Sequence, residues 1–289
     1  MNDDNKTNIE SNKIEKGNKK SLNPIISVVL IFAVIIGVFI IVFVINPTSD
    51  EKNKNESSLA SVDFSTMDIM ELLDYREDED GYAILGFNRF DLTDDENKIN
   101  TPEEMTIPDT IEGKPVVRIK EKAFERCIDL KKVVISDNVF EIGTSAFVEC
   151  KSLVEVHLPK NLTVLETSVF SSCAMLEKIN IPEGVVEIKI GAFSRVENLK
   201  ELELPQSLKY LRNGAFFPGS LESITIPENV EIIEKNVFMS NPNLKTVTFQ
   251  GDVSEIDKDA FSGCPNLLII TNGNGNVKKY AEDNNIPFE

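Results

Sequence analysis

One short phrase recurs seven times along this chain of 289 residues, and its spacing restricts the possible folds more than any other feature. Each copy contains a phenylalanine that follows Ala or Val. The aligned residues are Phe124, Phe147, Phe170, Phe193, Phe216, Phe238 and Phe261. Neighbouring copies are 23 residues apart, except that 22 residues separate the fifth from the sixth. A constant period in the twenties is typical of a solenoid, in which each coil buries its apolar side chains against the neighbouring coils.

The phrase reads I-P-x-x-V-x-x-I-x-x-x-A-F-x-x-C-x-x-L-x-x-V-x, and each slot has a structural meaning. Proline in the second slot has no backbone N–H, so it predicts that a strand ends and the chain turns a corner there. The V-x-x-I pair predicts that the chain then runs back along the side of the coil opposite this strand. The aligned phenylalanines are predicted to stack as a core spine, because the small residue before each one leaves room for the ring.

The L-x-x-V-x-I part of the phrase predicts a strand. Its alternation places Val156 and Leu158 inward and Glu155 and His157 outward. Strands of successive coils should lie about 4.8 Å apart in a parallel sheet. The period and the Leu, Ile and Val pattern fall in the leucine-rich-repeat range. The predicted fold is therefore mainly β, a leucine-rich-repeat solenoid of seven 23-residue coils with a parallel sheet and short helical turns.

The unit IPxxVxxIxxxAFxxCxxL resembles the repeat of the BspA-like leucine-rich-repeat surface proteins of bacteria and protozoa. The resemblance covers residues 81–289. It implies a curved, right-handed solenoid and, for many members, adhesion to host or bacterial surfaces. Three copies depart from the pattern: the fifth, AFFPGSLESI, is one residue short, and the sixth and seventh each lack Cys or Pro at one slot.

An uncharged stretch precedes the repeats. Ile25 to Ile45 reads IISVVLIFAVIIGVFIIVFVI, and a helix of this length spans about 31 Å, which matches a bilayer core. A cleaved signal peptide would have a shorter apolar region and a small-residue cleavage site, and no lipoprotein cysteine follows. The sequence predicts one N-terminal transmembrane helix that is retained as an anchor.

The charges beside this stretch predict its orientation. Four lysines precede it, at positions 13, 16, 19 and 20, whereas Asp50 and Glu51 follow it. Because Lys and Arg collect on the cytoplasmic side, we expect a single-pass protein of the cell membrane with a cytoplasmic N-terminus and extracellular repeats. The predicted segments are a disordered tail at 1–24, the membrane helix at 25–45, a flexible linker at 46–80, an N-terminal cap at 81–106, the repeats at 107–270 and a C-terminal cap at 271–289.

Three apolar patterns outside the repeats predict local structure. Met67, Met70, Leu72 and Leu73 have helical spacing and indicate a short helix that docks on the first coil, or one that binds a partner. Tyr82, Ile84 and Phe87 indicate a strand in the N-terminal cap. In the C-terminal cap, one face of a helix should carry Val277, Tyr280 and Ala281.

Composition and motifs argue against several functions. A net charge of −18 disfavours binding to nucleic acid, whose phosphates it repels. The chain has one histidine and no hydrolase, zinc-protease or nucleotide-binding signature, so we expect neither an enzyme nor a cofactor. Cysteine shares its slot with valine, which predicts buried free thiols; disulfides between adjacent coils are the alternative, and zinc is disfavoured because no CxxC pair is present. The four cysteines are Cys127, Cys150, Cys173 and Cys264.

Function is therefore expected on the outward positions of the sheet. One row alternates in charge and should pair with itself across strands: Lys132, Glu155, Lys178, Glu201, Ser223 and Thr246. The adjacent row, called the partner row below, is mostly uncharged: Val134, His157, Asn180, Glu203, Thr225 and Thr248. Phe217, in the shortened fifth copy, is predicted to lie either in a simple tightened turn or as an exposed aromatic that also contacts a partner.

Two functions follow from these expectations. The first is an adhesin or recognition module that binds a macromolecular surface ligand, most simply a protein, through the partner row. The second is a structural scaffold of the cell envelope, or a spacer, that associates with itself and has no host ligand.

Overall fold

In the computed structural model, the coils stack through parallel strands that pair in register. The structure describes residues 67–87, 93–95, 98–99, 101–272 and 275–289, all within the unit Val62–Glu289. The predicted tail (1–24), the membrane helix (25–45) and the first part of the linker lie outside these residues. Within the described ranges, every helix is too short or too polar to cross a bilayer.

The helices and strands follow one another in this order: α1 (Ile69–Leu72), β1 (Leu73–Asp78), β2 (Gly81–Phe87), β3 (Thr93–Asp95), β4 (Lys98–Ile99), β5 (Glu104–Ile107), β6 (Thr110–Ile111), β7 (Lys114–Ile119), β8 (Lys132–Ile135), β9 (Glu141–Ile142), β10 (Glu155–His157), β11 (Val164–Leu165), β12 (Lys178–Asn180), β13 (Glu187–Ile188), β14 (Tyr210–Leu211), β15 (Ser223–Ile226), β16 (Ile232–Ile233), β17 (Thr246–Phe249), β18 (Glu255–Ile256), β19 (Leu268–Thr271) and α2 (Asn276–Asp283).

Two sides of the solenoid are made of parallel strands. The strand face contains β5, β8, β10 and β12 in one sheet and β15, β17 and β19 in another. The return face contains the shorter strands β11, β13, β14, β16 and β18, while β9 pairs with β7. On the strand face, Val156 pairs with Val133 and Ile179 of the neighbouring coils, so the inward residues of successive coils lie side by side. The predicted mainly β solenoid with parallel sheets is confirmed.

The third side consists of turns. Each turn is linked to the next coil by backbone hydrogen bonds, for example from Phe170 N to Ala192 O (2.9 Å). We predicted short helical turns here, but these segments are hydrogen-bonded turns. A helix cannot continue through them because residues such as Ser145 (φ 57°) and Glu149 (φ 60°) adopt left-handed backbone conformations.

The seven aligned phenylalanines form the predicted spine. Neighbouring rings stack with centroids 5.0–5.8 Å apart and planes inclined by at most 20°. The caps extend the spine: Phe87 meets Phe124 edge to face at 5.2 Å, and Tyr280 meets Phe261 at 6.0 Å. The core is therefore one continuous apolar column rather than a set of separate layers.

The side chains in the cysteine slot form hydrogen bonds, which the presence of valine in the same slot of another copy did not suggest. Cys150 Sγ donates to Phe124 O at 3.1 Å, and Cys173 Sγ donates to Phe147 O at 3.1 Å, each bond linking one coil to the coil before it. The thiols of Cys150, Cys173 and Cys264 are free, as the slot predicts. Burial raises the pKa of the Cys173 thiol, which keeps its proton available for this bond.

Asn241 occupies the same slot in the sixth copy and is fully buried. Its Nδ2 donates to Phe216 O and Phe238 O, both at 3.0 Å, and its Oδ1 accepts from Leu221 N at 3.2 Å. The preceding coil has Gly219 in this slot. A Cβ at position 219 would lie 2.6 Å from Asn241 Oδ1, so the glycine makes room for the amide.

The N-terminal cap begins earlier than the sequence suggested. We predicted a linker up to residue 80, but β1 pairs antiparallel with β2, and β2 pairs with β7 of the first coil. Leu72 and Leu73 are buried in the core, and Tyr75 packs edge to face on Tyr82 with ring centroids 5.4 Å apart. The short helix α1 forms, with Asp68 accepting a hydrogen bond from Met70 N. Burial of these few apolar side chains fixes a segment whose composition is largely polar.

Ion pairs fasten this hairpin to the first coils. Asp78 Oδ2 lies 2.9 Å from Lys120 Nζ and 3.3 Å from Arg118 Nη1. Arg118 also contacts Asp80 (2.7 Å) and Glu141 (3.0 Å). The hydrogen bond from Lys120 is the main cause that lowers the pKa of Asp78 to about 2.

We expect this network to make the N-terminal cap sensitive to acid. The folded-state pKa of Asp78 lies below the unfolded value of about 3.9, so its stabilising contribution is complete above that value and is lost as the pH falls toward 2. Asp78→Asn should therefore flatten the loss of stability between about pH 4 and pH 2, as measured by circular dichroism in denaturant at each pH. Asp74→Asn, which changes an exposed carboxylate of the same strand, is the control; an equal effect of both would contradict the assignment.

The C-terminal end is closed by α2, which buries Val277, Tyr280 and Ala281 as its sequence predicts. The helix is capped by a carboxylate of the last coil: Asp252 accepts hydrogen bonds from Asn276 N (3.1 Å) and Val277 N (3.0 Å). These are the first N–H groups of the helix and have no partner within it, so the carboxylate stabilises both the helix and its attachment.

Candidate functional site

The strand face is interrupted at one coil. Residues 201–204 occupy the strand position between β12 and β15, yet they pair with neither. Lys200 O still accepts a hydrogen bond from Glu222 N at 2.8 Å, but within the described residues the backbone groups of 201–204 make no hydrogen bond to another strand. The interruption directly precedes the shortened fifth copy. The backbone groups of these four residues are therefore unpaired within the sheet.

A cavity of about 540 Å³ opens at this interruption and is called the gap cavity here. Leu202 and Leu204 contribute to its lining and are each 8% exposed, more than Val156 (2%) or Ile224 (4%) at equivalent inward positions. Polar side chains from neighbouring coils complete it: Asn180, Glu183, Glu201, Glu203, Thr225 and Thr248. The gap cavity therefore combines an apolar base with a polar, open entrance.

The electrostatics of the gap cavity differ from those of the sheet beside it. Neither Lys nor Arg lines it, although three glutamates do. The predicted cross-strand pairing is present between Lys132 and Glu155 (3.2 Å). It is missing between Lys178 and Glu201, because the strands that would bring them together are not paired in this part of the described chain. Glu201 and Glu203 thus face solvent without a cationic partner.

One corner of the gap cavity is closed by amide side chains. Glu183 Oε2 accepts a hydrogen bond from Gln206 N at 3.0 Å, and Gln206 Nε2 donates to Gln250 Oε1 at 3.0 Å. The second bond bridges residues two coils apart. It limits the gap cavity on the side where the chain turns toward the return face.

Four members of the partner row lie together at the gap cavity: Asn180, Glu203, Thr225 and Thr248. The other two lie on β8 and β10, away from it. His157 is exposed, and its ring nitrogen hydrogen-bonds the Glu155 carboxylate, which lowers the pKa of that carboxylate. Val134 pairs with His157 in the continuous part of the sheet. A role of the row in binding stays a prediction.

Phe217 does not project from the strand face, and a contact of its ring with a partner stays a prediction. The side chain is half-buried on the turn side, directly after the spine residue Phe216, and it packs over Gly214. The peptide bond to Pro218 is cis. The missing residue tightens this turn and leaves the ring against its own coil, which is the alternative that the sequence left open.

Sequence reasoning missed Glu183, Gln206 and Gln250 and assigned Glu201 to the self-paired row. The alternation in ELELP does not distinguish it from a paired strand, since inward Leu202 and Leu204 alternate with outward polar residues, as Val156 does with Glu155 and His157 in another copy. The shortened copy that follows was the one available signal. In the described ranges, His, Cys, Asp and Glu side chains form no group of three or more arranged to hold a metal ion.

Comparisons with known proteins agree on the fold. A family model described as a BspA type leucine rich repeat region matches six copies, over residues 117–241 and 168–284. The solved structure of a leucine-rich repeat protein of T. pallidum is 25% identical, with a TM-score of 0.62, over 77% of this chain and 97% of that one. A leucine rich cell surface protein of Faecalibacterium prausnitzii is 23% identical, with a TM-score of 0.50, over 62% of this chain and 53% of that one. No curated protein matches.

Proposed function

The chain belongs to the BspA-type leucine-rich repeat family, and we propose that it is a membrane-anchored, extracytoplasmic protein that binds another protein through its strand face. The gap cavity is the observation that carries this proposal. It joins carboxylates that have no cationic partner in the described structure and four partner-row residues on the outward side of the sheet. The family consists of surface proteins with repeat modules suited to binding, and a solved relative is described as a cell surface protein.

The location outside the membrane rests on the sequence. Ile25 to Ile45 is long and apolar enough to cross a bilayer, and the lysines before it favour a cytoplasmic N-terminus. In this proposed orientation, the repeats, their acidic surface and the gap cavity lie on the side where surface partners are met.

Protease treatment of intact cells tests this topology. With the cell wall removed where one is present, protease should cut within residues 46–66 and release the repeats, while a tag at the N-terminus stays protected. The repeats themselves should resist, because backbone hydrogen bonds link their coils along all three sides, with residues 201–204 as the exception on the strand face. Digestion of the tag together with protection of the repeats would reverse the orientation.

Site-directed photo-crosslinking in living cells tests the binding function. We expect a photoreactive amino acid at Thr225, on the strand face, to form an adduct with a different protein. The same residue at Glu255, an exposed position of β18 on the return face, is the matched control and should form none. Adducts from Thr225 that contain a second copy of this chain alone would instead support the self-associating scaffold, and adducts from Glu255 alone would place the site on the return face.

A further inference from the structure

The return face carries aliphatic and aromatic side chains at positions that face solvent. The first residue of each short strand points outward, and β11, β14 and β16 place Val164, Tyr210 and Ile232 there, each only half-buried. Phe140, beside β9 on the same face, is 39% exposed. The outward positions of a sheet that faces water are normally polar, so this composition favours a contact with another molecule.

These side chains belong to a surface that we call the return-face patch. It consists of the outward side chains of the four-residue segments 117–120, 140–143, 163–166, 186–189, 209–212 and 231–234, one segment from each of the first six coils. Paired strands hold the last four of these segments in register, and β7 pairs with β9 in the first two. The next coil, with Glu255, lies beyond the patch.

Two arginine–aromatic pairs are held in place within the patch. The Arg118 guanidinium carbon lies 4.6 Å from the ring centroid of Phe140, and that of Arg212 lies 4.8 Å from the ring centroid of Tyr210. Carboxylates of neighbouring coils bind both guanidinium groups, at 3.0 Å and 2.9 Å. Arg and aromatic residues are enriched in protein interfaces, and side chains that are already fixed lose less freedom on binding.

Charge is balanced on the return-face patch although the chain as a whole is strongly acidic. Its six segments contain five cationic and five anionic side chains, whereas the net charge of the chain is −18. The rest of the chain therefore carries the whole excess of negative charge and repels a second copy. The patch is a surface through which two copies can meet without net repulsion.

The order of the charges along the coils is self-complementary. A two-fold axis that lies in the interface, parallel to the strands, places the first segment opposite the sixth and the third opposite the fourth. Lys120 then faces Glu234 of the second copy, and Lys189 faces Glu166 of the second copy. An axis along the solenoid would instead place every segment on itself, with Glu166 against Glu166. The charges thus favour two copies that run in opposite directions.

The size of the patch indicates how strong such a contact is. Six coils and four residues cover about 29 Å along the solenoid and about 13 Å across it. Two such patches bury on the order of 800–1,000 Å² in total, which is at the low end for a specific interface. We therefore expect a weak, reversible dimer, which anchoring of both copies in one membrane favours by raising their effective concentration.

We propose that two copies of this chain pair in antiparallel orientation through the return-face patch. The strand faces of both copies stay uncovered, so the dimer presents two gap cavities and can engage two partner molecules at once. This inference goes beyond the proposed function and does not depend on it, because the two functions use different faces.

The first test measures self-association of the full-length chain in detergent micelles by sedimentation equilibrium over a series of protein concentrations. Val186 lies outward in the middle of the patch, so Val186→Glu puts an unpaired charge at the interface of each copy and should weaken association at least tenfold. The matched control is Val134→Glu, an outward valine of β8 on the strand face, which adds the same charge and should change association by less than about twofold.

A mixing experiment tests the orientation of the two copies. In the antiparallel arrangement Val186 faces Thr163 of the second copy, so Thr163→Lys alone should also weaken association. A mixture of the Val186→Glu chain with the Thr163→Lys chain should associate at least tenfold more tightly than either variant alone, because the introduced charges then meet across the interface.

Three results would each overturn the inference: a monomer at every concentration up to about 0.1 mM, equal effects of Val186→Glu and Val134→Glu, or a mixture no tighter than its separate components. The proposed function is judged separately, since a different protein captured from Thr225 supports it even if the chain is a monomer.

Discussion

Replacing Phe170 by alanine is expected to lower the free energy of unfolding by about 3–5 kcal/mol, measured by denaturant titration. The ring is fully buried in the middle of the spine. It stacks on Phe147 at 5.6 Å and on Phe193 at 5.8 Å, so its removal leaves a cavity that touches three coils. Because each coil of a solenoid is stabilised mainly by its neighbours, we also expect the unfolding transition to broaden as the two halves lose their coupling.

Phe217→Ala is the matched control for this prediction. It removes the same side chain from a coil nearby, but from the turn side and from a half-buried position outside the spine. We expect a loss of about 1 kcal/mol, the typical effect of a substitution outside a packed core. Equal losses for the two variants would mean that the spine does not carry the stability that its packing indicates.

Asn241→Leu is expected to cost about 2–4 kcal/mol, although leucine has a similar size and is more apolar. The substitution leaves Leu221 N without its acceptor and Phe216 O without the amide that donates to it. Both backbone groups lie in the interior. A buried polar group that loses its partner costs about 1–3 kcal/mol, more than the added apolar contact returns. The measurement is again the free energy of unfolding.

Asn241→Cys separates the two hydrogen bonds. A thiol in this slot can donate to the preceding phenylalanine carbonyl, as Cys264 Sγ donates to Phe238 O at 3.2 Å. We therefore expect Asn241→Cys to be more stable than Asn241→Leu and less stable than the native chain, since Leu221 N still lacks its acceptor. A leucine variant as stable as the native protein would contradict the role of the amide.

The repeated slots could be predicted because the same side chain solves the same packing problem in every coil. Phe170 and Cys173 were assigned to the interior from their spacing alone, and both are fully buried. A residue type that recurs in the same slot of seven copies is a reliable sign of burial, because the position of the slot within its coil determines whether its side chain is buried. For the same reason, the outward positions predicted for Glu201 and Glu203 were correct although their strand is not paired.

Features that depend on contacts between different slots could not be predicted. Residues 201–204 can pair with a neighbouring strand only if the backbones of the two coils align. The residue types in the segment ELEL do not determine that alignment. β1 reads LDYRED, which is polar enough for a linker, but the partner strand that orders it follows only after the next turn. His157 looked unpartnered because the glutamate that binds it, Glu155, was assigned to the other row.

Asn241 and Gly219 have a consequence for how the gene of such a protein can change in length. Coils with cysteine in this slot, such as those of Cys150 and Cys173, share one hydrogen-bonding scheme, so unequal crossing-over could add or remove one of them and leave its neighbours with a compatible contact. Separating residues 219 and 241 would be different: a coil with any side chain at the glycine slot would bring its Cβ to 2.6 Å from the asparagine oxygen. We therefore expect an insertion or deletion that separates these two coils to destabilise the solenoid more than one that falls on either side of them.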